Sequence, residues 1–376
     1  MPDKLVFHND YEELIYCEVP RVGLNCIICI DSTILGPALG GTRFFPYASF
    51  EEAKIDAIRL ARGMTYKALM LWHGCERPPY HLRPQLRLGG GKAVIIGDPA
   101  VLKNPELLFE FGHAVNRLKG RFITGEDMNI SVKDVEEIGR ATEFVVGRSR
   151  AIGTKKEKNK AGNPAEYTAL GTLAAQRAAM QFYFKSRKFE GRRIVFQGVG
   201  EVGFRHARFA KEQGAYIVAC DTHPKMTERI KREVGADIVD PDKIYEVQGD
   251  IFAPSAIGGT INAETIPLLQ CPIVAGCANN QLADPERDGK LLMERGILYA
   301  VDFVNNAGGL RAVADEMAID GFQQSRVTED IEGGIYEAIY DSLVRSAEEK
   351  RPPQEIIEEF CRKKLAAIKE SNDLKI

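Results

Sequence analysis

Gln197-Gly198-Val199-Gly200-Glu201-Val202-Gly203 decides the fold of the second half of the chain. Residues 193–197 before the glycines have the apolar content of a buried strand, and residues 203–213 have the pattern of a helix. In such a unit the first glycine permits a tight turn, the second lets a pyrophosphate approach the backbone, and the third lets the helix pack close to the strand. The spacing therefore predicts a dinucleotide-binding site at Gly198, Gly200 and Gly203.

An acidic residue follows these glycines after about 20 residues, the spacing of a ribose-binding acid. This residue is Asp221, at the end of the next predicted strand, residues 215–220. Its charge repels a 2′-phosphate, so we expect NAD rather than NADP as the cofactor. Short strands and helices alternate further along the chain, which is typical of a Rossmann-type, doubly wound parallel sheet.

The chain has 376 residues, which is long for a single core and favours two domains. Residues 148–162 are polar and basic, and they separate a first region of mixed strands and helices from the regular alternation. The predicted fold class is α/β, with an N-terminal α/β substrate domain at residues 1–148 and the NAD domain at 149–345. We expect the C-terminal helices, residues 346–376, to return to the first domain.

The composition argues against several classes of protein. A net charge of −3 does not suit a nucleic-acid-binding protein held by positive charge. The eight cysteines are scattered, which favours a reduced, cytoplasmic compartment. Cys26 and Cys29 are spaced C-x-x-C, but we expect them in a buried strand, with no metal site. The N-terminus lacks a signal-peptide pattern, and no apolar run approaches the roughly 20 residues that span a bilayer, so we expect no membrane partner.

Two lysines and a carboxylate stand among glycines in the first domain: Lys67, Lys92 after Gly89-Gly90-Gly91, and Asp127. Such a set can hold a substrate carboxylate and move protons at its α-carbon. Lys67 is the candidate cation for the carboxylate. If the substrate is an amino acid, its oxidation gives an imine. The water that attacks this imine needs a base to take its proton. A lysine can be that base where a poorly solvated site lowers its pKa toward neutrality.

Seven phrases then coincide in order along the chain. They are Gly36-Pro37-Ala38-Leu39-Gly40-Gly41-Thr42-Arg43, Arg62-Gly63-Met64-Thr65-Tyr66-Lys67, Gly89-Gly90-Gly91-Lys92, Gly125-Glu126-Asp127-Met128-Asn129, Gly198-Val199-Gly200, Ala278-Asn279-Asn280-Gln281 and Asn306-Ala307-Gly308-Gly309. From about residue 20 to about residue 350 the chain resembles the glutamate/leucine/phenylalanine/valine dehydrogenase superfamily, on its leucine and phenylalanine dehydrogenase branch. The resemblance implies a homo-oligomer that reversibly deaminates a hydrophobic L-amino acid to a 2-oxo acid and ammonia with NAD.

The resemblance also implies roles for individual residues. Lys92 is similar to the base that activates water, and Asp127 is similar to the acid that passes protons to and from the substrate nitrogen. Thr168 and Asn279 match residues beside the nicotinamide. The implied substrate-binding residues are Lys67, Leu39, Gly40, Asn280, Leu310 and Val313.

The resemblance divides on the substrate side chain. Leu39 resembles the relatives that act on aliphatic amino acids, whereas Gly125 resembles those that act on aromatic ones. Leucine, valine or isoleucine is our first expectation, and phenylalanine or tryptophan is the alternative. Asn305 and Arg311 depart from the family pattern beside the expected pocket.

An additional stretch, about residues 71–87, lies between the two lysines and contains three prolines. Prolines forbid a continuous helix, and we expect the stretch to loop out and leave both lysines in place. A hypothesis of a different class is a catalytically silent NAD-binding homologue in which this stretch separates them.

Overall fold

A computed structural model describes residues 11–74, 87–148, 163–318 and 320–373 of the chain. These residues fall into two units. Unit 1 holds residues 11–69, 87–148, 313–318 and 320–322, whereas unit 2 holds residues 70–74, 163–312 and 323–373. The predicted boundary after residue 148 lies at the start of a segment outside the described residues, and the predicted domain limits stay predictions.

Unit 1 contains a mixed sheet that has six strands in the described part of the chain. The strands are β1 (Glu13–Val19), β2 (Leu24–Ser32), β3 (Ala38–Leu39), β4 (Thr42–Phe45), β5 (Gly89–Ile96) and β6 (Phe122–Ile123). They lie in the order β1-β2-β5-β3-β6, and β4 also pairs with β5. β2 is antiparallel to both β1 and β5, whereas β3 and β4 run parallel to β5.

Helices pack on both faces of this sheet. They are α1 (Phe50–Gly74), α2 (Pro99–Leu102), α3 (Pro105–Asn116) and α4 (Val132–Ile138). Cys26 and Ile28 of β2 join the core that includes α3, whereas Ile27 and Cys29 join the core that includes α1. A strand covered on both faces is apolar throughout, which explains the unbroken apolar run at residues 26–30. Cys26 and Cys29 thus point to opposite faces of the sheet.

The spacing of the apolar residues alone predicts a helix over residues 50–64, but α1 continues to Gly74. Buried Thr65, Ala68 and Leu69 extend the helical spacing beyond the predicted end. Lys67 is therefore a helical residue. The first four residues of the additional stretch, 71–74, form the last turn of α1, and residues 75–86 lie outside the described residues.

Unit 2 contains a parallel sheet, again with six strands among the described residues. The strands are β7 (Arg193–Gln197), β8 (Tyr216–Cys220), β9 (Asp237–Ile238), β10 (Ile251–Pro254), β11 (Ile273–Val274) and β12 (Leu298–Tyr299). Their order, β9-β8-β7-β10-β11-β12, is that of the doubly wound dinucleotide-binding fold, which confirms the predicted class. The order reverses between β7 and β10, and ligands of such folds bind outside the carboxyl ends of the strands at this point.

The helices of the remaining chain follow the alternation expected from the sequence. They are α5 (Pro164–Phe184), α6 (Glu201–Glu212), α7 (Pro224–Val234), α8 (Pro285–Glu294), α9 (Asp302–Asn305), α10 (Gly308–Glu316), α11 (Gln324–Asp330), α12 (Tyr336–Glu349) and α13 (Pro353–Asp373). Pro352 and Pro353 separate α12 from α13, because proline cannot continue a helix. None of the helices described is long and apolar enough to cross a membrane.

The last helix packs within unit 2. α13 contacts α8 and α12, and the ring of Phe360 lies 4.4 Å from the ring of His73 in the last turn of α1. The expected return of residues 346–376 to the first domain stays a prediction.

Candidate active site

Lys92 and Asp127 lie together in unit 1. The Nζ atom of Lys92 is 3.1 Å from Oδ1 of Asp127, and Lys92 is only 5% exposed. Lys92 projects from β5, whereas Asp127 lies in a turn after β6 that is closed by the N–H of Ile130 bonding to the Asp127 carbonyl at 3.0 Å. The two residues expected to move protons are therefore in direct contact.

Arg43, which was not among the predicted site residues, provides Asp127 with a second cation. Its Nε donates to Oδ2 of Asp127 at 3.1 Å, and its Nη1 donates to Asp56 at 2.9 Å. The hydroxyl of Tyr47 donates to the same Asp56 oxygen at 2.5 Å. Arg43 ends the phrase Gly40-Gly41-Thr42-Arg43, which is one of those that carry the family resemblance. Its partner Asp127 lies 84 residues away in sequence, so the phrase alone did not indicate this contact.

These cations set the protonation state of Asp127. Burial alone would raise its pKa, but Lys92, Arg43 and the N–H of Met128 together hold the pKa of this carboxyl well below its usual range. Asp127 is therefore ionised in the free protein at neutral pH. Because the folded-state pKa is depressed, ionised Asp127 stabilises the fold above about pH 4, and this contribution is lost as the pH falls toward the folded pKa.

The absence of a side chain at Gly90 lets α1 lie against β5. A Cβ atom at Gly90 would be 2.1 Å from the backbone nitrogen of Thr65, a distance that no real Cβ contact reaches. The Thr65 hydroxyl also donates to Asp31 of β2 at 2.5 Å. The helix that carries Lys67 is thus fixed directly on the strand that carries Lys92. Lys67 is partly buried two residues beyond Thr65, and its role as the carboxylate anchor stays a prediction.

Two further glycines bring the Gly36–Arg43 phrase to the same place. A Cβ at Gly40 would be 1.8 Å from the carbonyl oxygen of Gly91, and a Cβ at Gly41 would be 2.1 Å from the carbonyl oxygen of Glu126. Only glycine allows such close backbone contacts. Together with the contact between Gly90 and Thr65, these contacts bring four of the phrases that carry the family resemblance together around Lys92.

The fingerprint glycines of unit 2 occupy the positions that their spacing predicted. Gly198 has a φ of +89°, which favours glycine. A Cβ at Gly203 would be 2.7 Å from the carbonyl oxygen of Gly198, whereas a Cβ at Gly200 would have open space around it. Gly200 caps α6, whose N-terminus presents N–H groups and a partial positive charge to an anion. This arrangement fits the pyrophosphate of a dinucleotide.

Asp221 is hydrogen-bonded to the glycine turn. Its Oδ2 accepts from the N–H of Val199 at 2.9 Å, and its Oδ1 accepts from the N–H of His223 at 2.9 Å. The carboxylate is thereby held at the carboxyl ends of β7 and β8, where a ribose is expected in this fold.

In unit 2, the predicted cofactor-binding residues Asn279 and Thr168 both contact the phrase Asn306-Ala307-Gly308-Gly309. The Oδ1 atom of Asn279 accepts from Nδ2 of Asn306 at 2.7 Å. A Cβ at Gly309 would be 2.6 Å from Oγ1 of Thr168, so α5 contacts the start of α10. Asn280 is exposed and has a φ of +51°, which an asparagine tolerates.

The four residues expected to line the pocket for the substrate side chain do not all belong to one unit. Leu39 and Gly40 are buried in unit 1. Leu310 and Val313 both lie on α10, but the unit boundary falls between them, after Ala312. Their part in a pocket stays a prediction. Across the described residues, no group of three or more histidine, cysteine, aspartate or glutamate side chains could hold a metal ion.

Comparison with known proteins supports the family resemblance that the quoted phrases carry. Residues 12–147 match the Glu/Leu/Phe/Val dehydrogenase dimerisation domain, and residues 221–371 match the glutamate/leucine/phenylalanine/valine dehydrogenase domain. The chain belongs to this family. The predicted class of the protein, an oxidoreductase that is an amino-acid dehydrogenase, is therefore confirmed.

Individual members of the Glu/Leu/Phe/Val dehydrogenase family are similar over most of their length. The leucine dehydrogenase of Thermoactinomyces intermedius is 44% identical over 336 residues, which are 89% of this chain and 84% of the relative. The phenylalanine dehydrogenase of the same organism is 39% identical over 341 residues, 90% and 87% of the two chains. The crystal structure of L-tryptophan dehydrogenase from Nostoc punctiforme matches with a TM-score of 0.76 at 36% identity, covering 96% of this chain and 97% of that one.

The contact between α1 and β5 can be tested by Gly90→Ala. The added methyl group would overlap the backbone of Thr65, and we expect the free energy of unfolding to fall by about 1–3 kcal/mol in urea titrations. Gly63→Ala is the matched control, because a Cβ there has no neighbour within 4 Å and alanine favours a helix by about 1 kcal/mol over glycine. An equal loss of stability in both variants would contradict the close contact at Gly90.

Proposed function

We propose that the protein is an NAD-dependent L-leucine dehydrogenase that also accepts valine and isoleucine. It converts the amino acid and water reversibly to the 2-oxo acid and ammonia. The observation that carries this proposal is the buried contact between Lys92 and Asp127, with the Lys67 helix packed on the same strand. The 44% identity to a leucine dehydrogenase supports the choice of substrate class.

The charges of the site suit an amino acid. Lys92, Asp127, Arg43 and Asp56 form a row in which cations and carboxylates alternate, with a formal sum of zero. An amino acid at neutral pH is itself neutral overall and carries one charge of each sign. We assign its carboxylate to Lys67 and its ammonium group to Asp127, whose low pKa keeps it ionised as the counter-ion of that group.

The proton steps follow from these positions. Asp127 takes a proton from the substrate ammonium group, which leaves a nitrogen lone pair that can form the imine. Lys92, after its own proton has passed to the solvent, takes a proton from the water that attacks the imine carbon. Asp127 returns a proton to the nitrogen and then takes the proton of the new hydroxyl group, so that the carbonyl group forms as the C–N bond breaks and ammonia leaves. The contact between the two side chains lets a proton pass directly from one to the other.

NAD would be held by the backbone at Gly198, Gly200 and Gly203, with Asp221 at the adenosine ribose. Thr168 and Asn279 are the candidates to position the nicotinamide. When bound, NAD supplies the acceptor for the hydride that leaves the α-carbon. Asp221 keeps the cofactor site negative at the position of a 2′-phosphate, which favours NAD over NADP.

We also propose that the protein is a cytoplasmic homo-oligomer. The match of residues 12–147 to a dimerisation domain supports assembly of identical chains. Size-exclusion chromatography with light scattering gives the number of chains directly.

The substrate proposal is tested by following NADH formation with a panel of L-amino acids. We expect kcat/KM for leucine to exceed that for phenylalanine and tryptophan by about tenfold or more, since pocket size separates side chains by this order. Reductive amination should require ammonia, which distinguishes this enzyme from a 2-hydroxy-acid dehydrogenase. Preference for an aromatic substrate would overturn the aliphatic assignment. Binding of NAD without oxidation of any amino acid would favour the catalytically silent alternative.

The role of Lys92 is tested by Lys92→Met, which keeps the length of the side chain without its charge. We expect kcat to fall by about 10²–10⁴-fold, the usual contribution of a general base, while NAD binding measured by calorimetry is retained. Lys103→Met is the matched control, since Lys103 pairs with Asp134 at 3.0 Å in the same unit. A similar loss of kcat in both variants would show that any broken ion pair of this unit impairs the enzyme.

Cofactor preference is tested by Asp221→Asn, which keeps an oxygen for the hydrogen bond to the glycine turn and removes the charge. We expect the ratio of kcat/KM with NAD to that with NADP to fall by about tenfold, because the repulsion of a 2′-phosphate is relieved. An unchanged ratio, with the amino-acid substrate saturating, would place the source of the preference elsewhere.

A further inference from the structure

Two cysteines face each other across the hairpin formed by β1 and β2. The antiparallel register places Cys17 of β1 directly opposite Cys26 of β2, and the ladder between these strands has no bulge. Both side chains belong to the face that packs toward α3. Cys17 is partly exposed, whereas Cys26 is buried. Cys29, the next cysteine along β2, pairs with Leu14 and belongs to the opposite face.

The hydrogen bonds at the two ends of the hairpin identify the type of this pair. The N–H of Gly23 bonds to the carbonyl of Pro20 at 3.1 Å, and the N–H of Glu12 is shared between the carbonyls of Ile30 at 3.0 Å and Asp31 at 3.3 Å. Hydrogen-bonded pairs alternate with non-hydrogen-bonded pairs along an antiparallel ladder, and Cys17 lies an odd number of residues from both Pro20 and Glu12. The pair of Cys17 and Cys26 is therefore non-hydrogen-bonded. Such pairs have Cα atoms about 4.5 Å apart, which is within the range that a disulfide spans.

The two sulfurs already interact. A hydrogen bond from the Cys26 thiol and the charge of Arg117, at the end of α3, lower the pKa of Cys17 to about 6, although burial and Glu110 oppose this. The same hydrogen bond and burial raise the pKa of Cys26 well above its usual range. One partner is thus a thiolate at neutral pH and partly accessible, and the other is a protonated thiol held against it.

We propose that Cys17 and Cys26 are a reversible modification site, at which a peroxide converts the two thiols to an intramolecular disulfide. The Cys17 thiolate attacks one peroxide oxygen, so that an S–O bond forms, the O–O bond breaks and one water leaves after protonation. The sulfur of Cys26 then attacks the Cys17 sulfenic acid, an S–S bond forms, the S–O bond breaks and a second water leaves. Two thiols and one hydrogen peroxide thus give one disulfide and two waters, and a dithiol reductant reverses the change.

The fold gives this disulfide a mechanical effect. β1 is the edge strand of the unit 1 sheet and pairs only with β2 in the described residues. The cross-link would tie this edge strand covalently to the strand beside it. The same sheet carries Lys92 on β5, the neighbour of β2 on its other side.

The experiment treats the full-length protein with hydrogen peroxide under native conditions, alkylates it after denaturation, and digests it with trypsin without reduction. Trypsin separates residues 5–21, which contain Cys17, from residues 22–43, which contain Cys26 and Cys29. We expect mass spectrometry to find these two peptides joined, with the protein still at the monomer position on a non-reducing gel. The thiol titre should fall from eight to six per chain and return after treatment with dithiothreitol.

Variants identify the partner sulfurs. Cys17→Ser and Cys26→Ala should each abolish the joined peptides, whereas Cys29→Ser, the matched control, should keep them. The proposal is overturned if peroxide drives Cys17 to the sulfinic acid while Cys26 stays alkylatable, if Cys17 links two chains, or if Cys29→Ser abolishes the joined peptides. An unchanged thiol titre at peroxide concentrations that oxidise free cysteine would overturn it as well. None of these results depends on the dehydrogenase activity.

Discussion

The absence of side chains at residues 89–91 is the constraint on which the unit 1 site depends. Gly90 admits the backbone of Thr65, and Gly89 admits the backbone carbonyl groups of Ser32 and Gly36. Any larger residue at these positions would push α1 and the Gly36–Arg43 phrase away from β5 by ångströms. The first charged residue after the glycines, Lys92, is therefore surrounded by protein on all sides and is almost completely buried. Close backbone packing thus creates the dry surroundings in which fixed charges act strongly.

Burying these charges has a free-energy cost that the site offsets by pairing. A buried carboxylate without a partner is strongly unfavourable, and Asp127 has two cationic neighbours. Arg43 would in turn carry an excess positive charge, which Asp56 compensates. The row of alternating charges is therefore stable without substrate. It also explains why Arg43 belongs to the site although it need not touch substrate, since it holds the carboxylate in place and ionised.

Local sequence patterns predicted most helices, strands and turns. Contacts between residues distant in sequence determined the features that these patterns did not predict. The turn at Gly198 was predictable to the residue, because a positive φ and a close helix contact demand glycine over a span of only a few residues. The end of α1 was not predictable in this way. The residues after Met64 are a mixture of polar and apolar types, and their packing against β5 keeps them helical. Arg43 and Asp127 are 84 positions apart in sequence, and the periodicity of the sequence does not indicate a contact between residues so far apart.

The residues that depart from the expected pattern beside the predicted pocket make contacts within their own units. Arg311 is fully buried and paired with Asp330 at 2.6 Å, and Asn305 is fully buried with its amide donating to the Ala300 carbonyl at 2.8 Å. A Cβ at Gly125 would be 2.9 Å from a methyl group of Val146, so packing against Val146 accounts for the glycine without an aromatic substrate. Arg311 and the amide nitrogen of Asn305 are thus paired within unit 2. Val313 on α10 is partly exposed, and its place in the pocket for the substrate side chain stays a prediction.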